Sequence, residues 1–301
     1  MNRKIIPILA AGLLTGFVIP QASLADNANK PNAQVKSVQK SVQQEGRTAV
    51  SDIEETIIKE AASSLDHVID AIKNLQKDDV KAAIKDIASA TGDLEIVLAA
   101  NPELSLAPIA VKPVVYDIYG DIASVNKTVK TVKSLIDDNR LQEARQILSG
   151  LASEINIQVT NIPLGTYPEA LKYAAALLAD GKKKSALDVL YNITDTLVIT
   201  RTTIPLPVLR AEHMLALAKG LLETNNRNSS QQKELKALLD NARTQLKLAS
   251  ALGYGEESDY EPFYEEIDKL LKYAKSSKAK IGAFDEINLK IDRFLRKRFG
   301  Y

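Results

Sequence analysis

The sequence predicts an all-α protein made of antiparallel helical hairpins, arranged as a bundle or a short α-solenoid, and three observations predict it. Apolar residues recur with helical spacing over most of the chain. The breaks between these stripes carry turn residues and are short, which is what joins neighbouring antiparallel helices. The pattern also returns with a shift of 42 residues, in the range of two-helix repeats. Composition agrees: aromatics are 5% of the 301 residues, and Trp and Cys are absent.

Taken in order, the chain opens on Arg3 and Lys4, followed by the apolar run Ile5 to Ile19, with Pro20 ahead of Ser23-Leu24-Ala25. This reads as a secretory signal over residues 1–25, cleaved after Ala25, because a run of 15 apolar residues falls short of the roughly 20 that span a bilayer. Nothing later in the chain is long and apolar enough to span one. Residues 26–44 are polar and rich in Gln, Asn, Ser and Lys, and are expected to form a flexible lead-in. The helical domain is then expected over 45–301, with candidate subdivisions near 101–115 and 224–231.

Within that domain, Leu171, Ala174, Ala175 and Leu178 form one apolar stripe, and Ala186, Val189, Leu190 and Ile193 the next. Leu235, Leu238, Leu239 and Ala242, then Ile267, Leu270, Leu271 and Ala274, form two more. Ile281, Phe284, Ile287, Ile291 and Phe294 predict a C-terminal helix ending in Arg296-Lys297-Arg298, cations that favour a helix C-terminus. The separating turns are Lys77-Asp78-Asp79, Asp137-Asp138-Asn139, Asp180-Gly181 and Asn225 to Ser230.

The 42-residue shift places Asn139 on Gly181, Ala144 on Ala186, Leu148 on Leu190 and Ile162-Pro163-Leu164 on Ile204-Pro205-Leu206. A weaker copy lies 61 residues upstream, with Ala83, Ile87, Ala90 and Pro102 in matching positions. Each unit reads as a turn, a helix with a small Ala that admits a close neighbour, and a stretch ending at Pro. Residues 155–162 alternate in polarity and 197–204 are β-branched, so these partner tracts are either a minor two-stranded element or the ends of long helices.

Three runs carry a resemblance: Asn161 to Ala170, Thr202 to Glu212, and Ala251-Leu252-Gly253-Tyr254-Gly255, together with Glu45-Gly46-Arg47 and the Asp117 region. In these the chain resembles the YfdX family of exported bacterial proteins, from about residue 45 onward. The resemblance implies a helix-rich envelope protein associated with stress responses. It supplies no catalytic motif, so no functional residue carries over.

Little chemistry is written into the chain itself. His67 and His213 are the only histidines, neither has a second His within helical reach, and both are expected on solvated faces. No nucleophile elbow, phosphate loop or zinc-protease motif occurs, and the paired acids read as caps and solvated faces, so no catalytic, cofactor or metal residue is assigned. Without Arg3 and Lys4 the chain has 37 basic against 38 acidic residues, which argues against nucleic acid as a partner.

The segment from Gly253 to Glu266 concentrates four aromatics and six acids. It is either an exposed surface or a capped helix joint whose rings face inward. The expected function is a non-enzymatic extracytoplasmic binding or stress-protective protein, periplasmic or secreted, with a protein or small-molecule partner. Its candidate surface is Pro163, Leu164, Tyr167, Pro205, Leu206, Tyr254, Tyr260, Phe263 and Tyr264. An envelope enzyme using carboxylates from distant helices, or a structural homo-oligomer, are the alternatives.

Overall fold

The computed structural model describes residues 33–299 other than 119, 279 and 281. The signal segment 1–25 and its cleavage point lie outside the described residues, as does Ile281. Among the described residues, eleven helices and three strands follow in the order α1 (Ala33–Glu54), α2 (Lys59–Gln76), α3 (Val80–Ala100), β1 (Leu106–Tyr116), α4 (Ile122–Asp137), α5 (Leu141–Leu148), β2 (Glu154–Pro163), α6 (Tyr167–Ala179), α7 (Lys183–Thr194), β3 (Val198–Pro205), α8 (Leu206–Leu222), α9 (Ser229–Ala251), α10 (Glu257–Ala274) and α11 (Asp285–Phe299). All four internal stripes read from the sequence lie on helices, in α6, α7, α9 and α10. The expected lead-in is in part helical, since α1 begins at Ala33. Val38, Val42, Gly46 and Val50 recur every fourth residue and are buried, a stripe that the polar residues around it conceal.

Between α2 and β3 the architecture is one motif used three times: helix, tight turn, helix, strand. The turns are alike in backbone geometry. Asp78, Asn139 and Gly181 have φ of 66°, 59° and 74°, the left-handed region that closes a helix. In each, the next residue's N–H reaches back to the carbonyl five positions earlier: Asp79 to Asn74 at 2.9 Å, Arg140 to Leu135 at 2.8 Å and Lys182 to Leu177 at 2.8 Å. Asp78 lies 61 residues before Asn139, and Asn139 lies 42 before Gly181, so the upstream copy is a repeat in structure as well. The small residues Ala83, Ala144 and Ala186 are buried at equivalent points of the second helices.

The tracts at 155–162 and 197–204 are strands rather than helix ends. They join a third strand, β1, that sequence reasoning missed, in the order β1-β2-β3. Leu164 N–H donates to Ser105 O at 3.0 Å, Leu206 N–H to Ser153 O at 2.9 Å, and Asn161 Nδ2 to Val198 O at 3.1 Å. These bonds join the end of each strand to the start of its neighbour, so both pairings are antiparallel. Pro108 and Pro113 hid β1, since Pro cannot donate to a ladder. They are tolerated because β1 is an edge strand, and Pro108 still accepts from Ile58 N–H at 2.9 Å. Pro163 and Pro205 end strands, but Pro102 precedes β1 because α3 runs on to Ala100.

The chain forms two compact units, and it passes from one to the other within α1 and within each of the three strands. The first comprises residues 49–113 and 157–201, the second residues 33–48, 114–156 and 202–299. In the first unit α2 and α3 pack against α6 and α7 around a core that includes Leu65, Val68, Leu75, Ile87, Leu94, Leu171 and Leu190. The one polar member of the α2 stripe, Ser64, is fully buried and donates to Ala90 O at 2.9 Å, which satisfies its hydroxyl and ties α2 to α3. In the second unit α9 lies between α8 and α10, and α11 packs on α10. Arg227 locks the end of α8: its guanidinium donates to Leu222 O at 2.7 Å, Thr224 O at 2.9 Å and Lys278 O at 3.0 Å, and also to Ser276 O.

Candidate functional site

The second unit holds three groups of polar or aromatic side chains that bear on function. The first is centred on Asp117, just past β1. Its carboxylate accepts from Arg210 Nη2 at 2.6 Å and Nη1 at 3.3 Å, from Ser153 Oγ at 2.7 Å and from Ile118 N–H at 3.1 Å. Ser153 N–H in turn donates to the Tyr254 hydroxyl at 2.8 Å, and that hydroxyl donates to Glu154 Oε2 at 2.8 Å. Burial pushes the Tyr254 phenol well above its ordinary value, and the adjacent Glu154 carboxylate adds to the shift. Every group here is occupied by another, so the node is a lock between segments distant in sequence and offers no free nucleophile or base.

The second group surrounds His213 on α8. Its Nε2 lies 2.8 Å from Glu45 Oε2 of α1, and the neighbouring Glu212 is largely buried, with its Oε2 lacking a hydrogen-bond partner. Burial, reinforced by the charges of Glu45 and Asp292 and opposed by His213, pushes the Glu212 carboxyl up to about 7. His213 is therefore not on a solvated face as expected; its partner is Glu45, the first residue of the expected helical domain. His67 is half exposed, with Nε2 3.7 Å from Asp93 Oδ2, and Asp70 pairs with Lys73. Among the described residues no three His, Asp or Glu side chains gather as metal ligands would.

The third group is aromatic. Gly253 closes α9 at φ +82°, and α10 starts at Glu257 with Asp259 accepting from Glu256 N–H at 2.9 Å. Asp259 thus works at the third position of the cap, with Glu256 as the capping residue. Tyr260 and Phe263 are buried and meet Phe294 of α11 edge-on, with centroids 5.3 and 5.8 Å away. The rings hold the joint together from inside, and burial raises the Tyr264 phenol to about 12.

The nine residues expected to form an interaction surface are therefore not one surface. Leu164, Tyr167, Pro205, Leu206, Tyr260 and Phe263 are buried, and Pro163, Tyr254 and Tyr264 are half-buried. The Ile-Pro-Leu segments correct to core for a local reason. Each strand runs straight into a helix, α6 or α8, whose first turn carries Pro, and the leucine at that junction turns inward.

Sequence reasoning missed a groove between α9 and α10. It has a volume of about 710 Å³ and is lined by Lys233, Lys236, Lys272 and Lys275 around Leu271 and Ala274. Lys236 pairs with Asp240 at 3.6 Å and Asp268 with Arg243 at 2.7 Å, while Lys233, Lys272 and Lys275 make no ion pair among the described residues. Only the spacing of these lysines at the N-terminus of one helix and the C-terminus of the next could have signalled it.

Comparisons with known proteins bear on family. No curated protein matches the chain. A solved structure of Salmonella Typhi YfdX aligns over 50% of this chain and 93% of its own, at 15% identity and a TM-score of 0.35. The family model described as YfdX protein matches residues 64–203, which span from the middle of α2 into β3 and so take in nearly all of the threefold repeat. On that match, residues 64–203 of the chain belong to the YfdX family.

Proposed function

We propose that the protein is a non-enzymatic binding protein of the bacterial envelope that engages an acidic partner with some apolar surface. The observation that carries this reading is the α9–α10 groove, where three lysines without acidic partners rim a floor of Leu271 and Ala274. Such a rim attracts anionic groups, while the floor accepts apolar atoms from the same ligand. Export is supported by Arg3, Lys4 and the apolar run up to Ile19. No described helix is long and apolar enough to cross a membrane. A stress-protective role would act through the same groove by holding an exposed segment of another chain.

The test is recovery of partners from envelope extract by the tagged chain, followed by mass spectrometry and native mass. The triple variant Lys233→Glu, Lys272→Glu, Lys275→Glu serves as the comparison. Recovery of an acidic partner by the unaltered chain and its loss in the variant supports the reading. Equal recovery by both removes the groove from it.

One observation favours a second reading, an envelope enzyme with carboxylates from separate helices. Glu212, with its carboxyl raised to about 7 beside Glu45 and His213, has the character of a general acid or base. A Glu212→Gln variant that binds the same partners with unchanged affinity but loses turnover of one of them would establish it.

A further inference from the structure

The groove between α9 and α10 has the form of a seat for one more helix. On its α9 wall stand Ser229, Gln232, Lys233 and Lys236, spaced i, i+3, i+4 and i+7. The α10 wall follows the same spacing with Asp268, Leu271, Lys272 and Lys275. Each wall is therefore one face of a helix over two turns, about 10 Å long at the usual rise per residue. Two such faces side by side, with Leu271 and Ala274 as floor, leave a trough that runs along the helix axes. Its volume of about 710 Å³ is close to that of two turns of a helix roughly 10 Å across.

Charge decides what kind of helix fits. Lys233 stands on one wall and Lys272 and Lys275 on the other, all exposed and without an acidic partner among the described residues. The acid in the groove, Asp268, is already held by Arg243 at 2.7 Å, and Lys236 has only Asp240 at 3.6 Å. Lys272 and Lys275 have a local explanation, since cations favour a helix C-terminus. Lys233 and Lys236 have none: they follow directly on a first turn of α9 that holds no acid, so they add to the positive end of that helix. A ligand with a single anionic head would need cations at one end of the trough. Cations on both walls match a ligand that is apolar along its middle and acidic on both flanks.

We infer that the α9–α10 groove receives an amphipathic helix of another protein, with its apolar stripe on Leu271 and Ala274 and its acids against the lysines of both walls. The inference rests on the proposed reading of this groove as the seat of an acidic partner, and it names that partner's form. Two turns of contact bury little area, so the complex is expected to be weak and sensitive to salt.

The probe is a synthetic peptide with Leu at i, i+3, i+4 and i+7, Glu on both flanks and one Trp on the stripe, beside a permuted peptide of equal composition. Because the chain has no Trp, the peptide's fluorescence reports docking without background. With the full chain, the Trp emission of the amphipathic peptide should shift to the blue and its helicity by circular dichroism should rise. High salt, and the combined substitutions Lys233→Gln, Lys272→Gln and Lys275→Gln, should each weaken binding about tenfold or more. Leu271→Ser should also weaken it, while Lys247→Gln, at an exposed position of α9 outside the groove, should leave it unchanged. Absence of binding overturns the inference, as does equal binding of the permuted peptide or binding that the triple substitution does not reduce. The reading of the groove fails separately: if envelope extract yields a lysine-dependent partner while the peptide does not bind, the groove keeps its acidic partner and the helical form is wrong.

Discussion

Asp117 and Arg210, 93 residues apart, form a two-pronged ion pair whose carboxylate side chain is fully buried and whose arginine side chain is 9% exposed. Two charges removed from water are tolerable here because Ser153 Oγ and the Ile118 N–H fill the remaining acceptor positions on Asp117. Removing one partner leaves the other charge buried alone. Arg210→Met is therefore expected to cost about 3–5 kcal/mol of folding stability, and the double variant Asp117→Leu, Arg210→Met to recover most of that loss. Urea unfolding of the two single variants and the double variant measures both numbers. A double variant no more stable than Arg210→Met would contradict the argument.

Acid should stabilise the region around Glu212. With its carboxyl at about 7 in the folded chain against an ordinary 4.5, the folded state holds a proton that the unfolded state has released across this window. The stability this contributes is complete below about 4.5 and is lost as pH rises through about 7, a change on the order of 3 kcal/mol. The groups facing Glu212 are Glu45 from α1, His213 on its own helix and Asp292 from α11. Thermal unfolding from pH 4 to pH 8 should show this slope, and Glu212→Gln should flatten it while raising stability at the alkaline end.

The strand-to-helix junctions are core. Leu164→Ala and Leu206→Ala should each lower stability by about 2–5 kcal/mol, as large-to-small changes at buried positions do. Leu141→Ala, at an exposed position, should change it by no more than about 0.5 kcal/mol. Denaturant midpoints at constant slope separate the two outcomes.

The three turns make a graded set. Gly181→Ala forces a side chain into the left-handed region at φ 74° and should cost about 1–2 kcal/mol. Asn139→Gly at φ 59° relieves that conformation but loosens the unfolded chain, so its effect should fall within about 1 kcal/mol of zero. Comparing the melting temperatures of the two variants checks the ordering.

Much of this architecture is local and could be read in advance. The stripes of α6, α7, α9 and α10 and the turns at Asp78, Asn139 and Gly181 depend on residues a few positions apart, and the 42-residue copy repeats them. Local reasoning misled where two signals conflicted. Pro108 and Pro113 argued against β1, which survives because an edge strand leaves room for residues that cannot donate. The polar surroundings of Val38 and Val42 hid α1, whose helical stripe is one valine wide.

The functional groups were the least legible, and for one reason. Asp117 meets Arg210, Glu45 meets His213 and Tyr254 meets Glu154 across about a hundred residues or more, and no spacing rule within a helix reaches that far. The sequence by itself determined helices, turns and a repeated hairpin, because these follow from periodicity and backbone preference over short stretches. Only the tertiary structure decided which copies of that hairpin pack on each other, which carboxyl is buried beside which charge, and that the Ile-Pro-Leu segments lie inside. Burial is a property of everything packed around a residue and not of its neighbours along the chain.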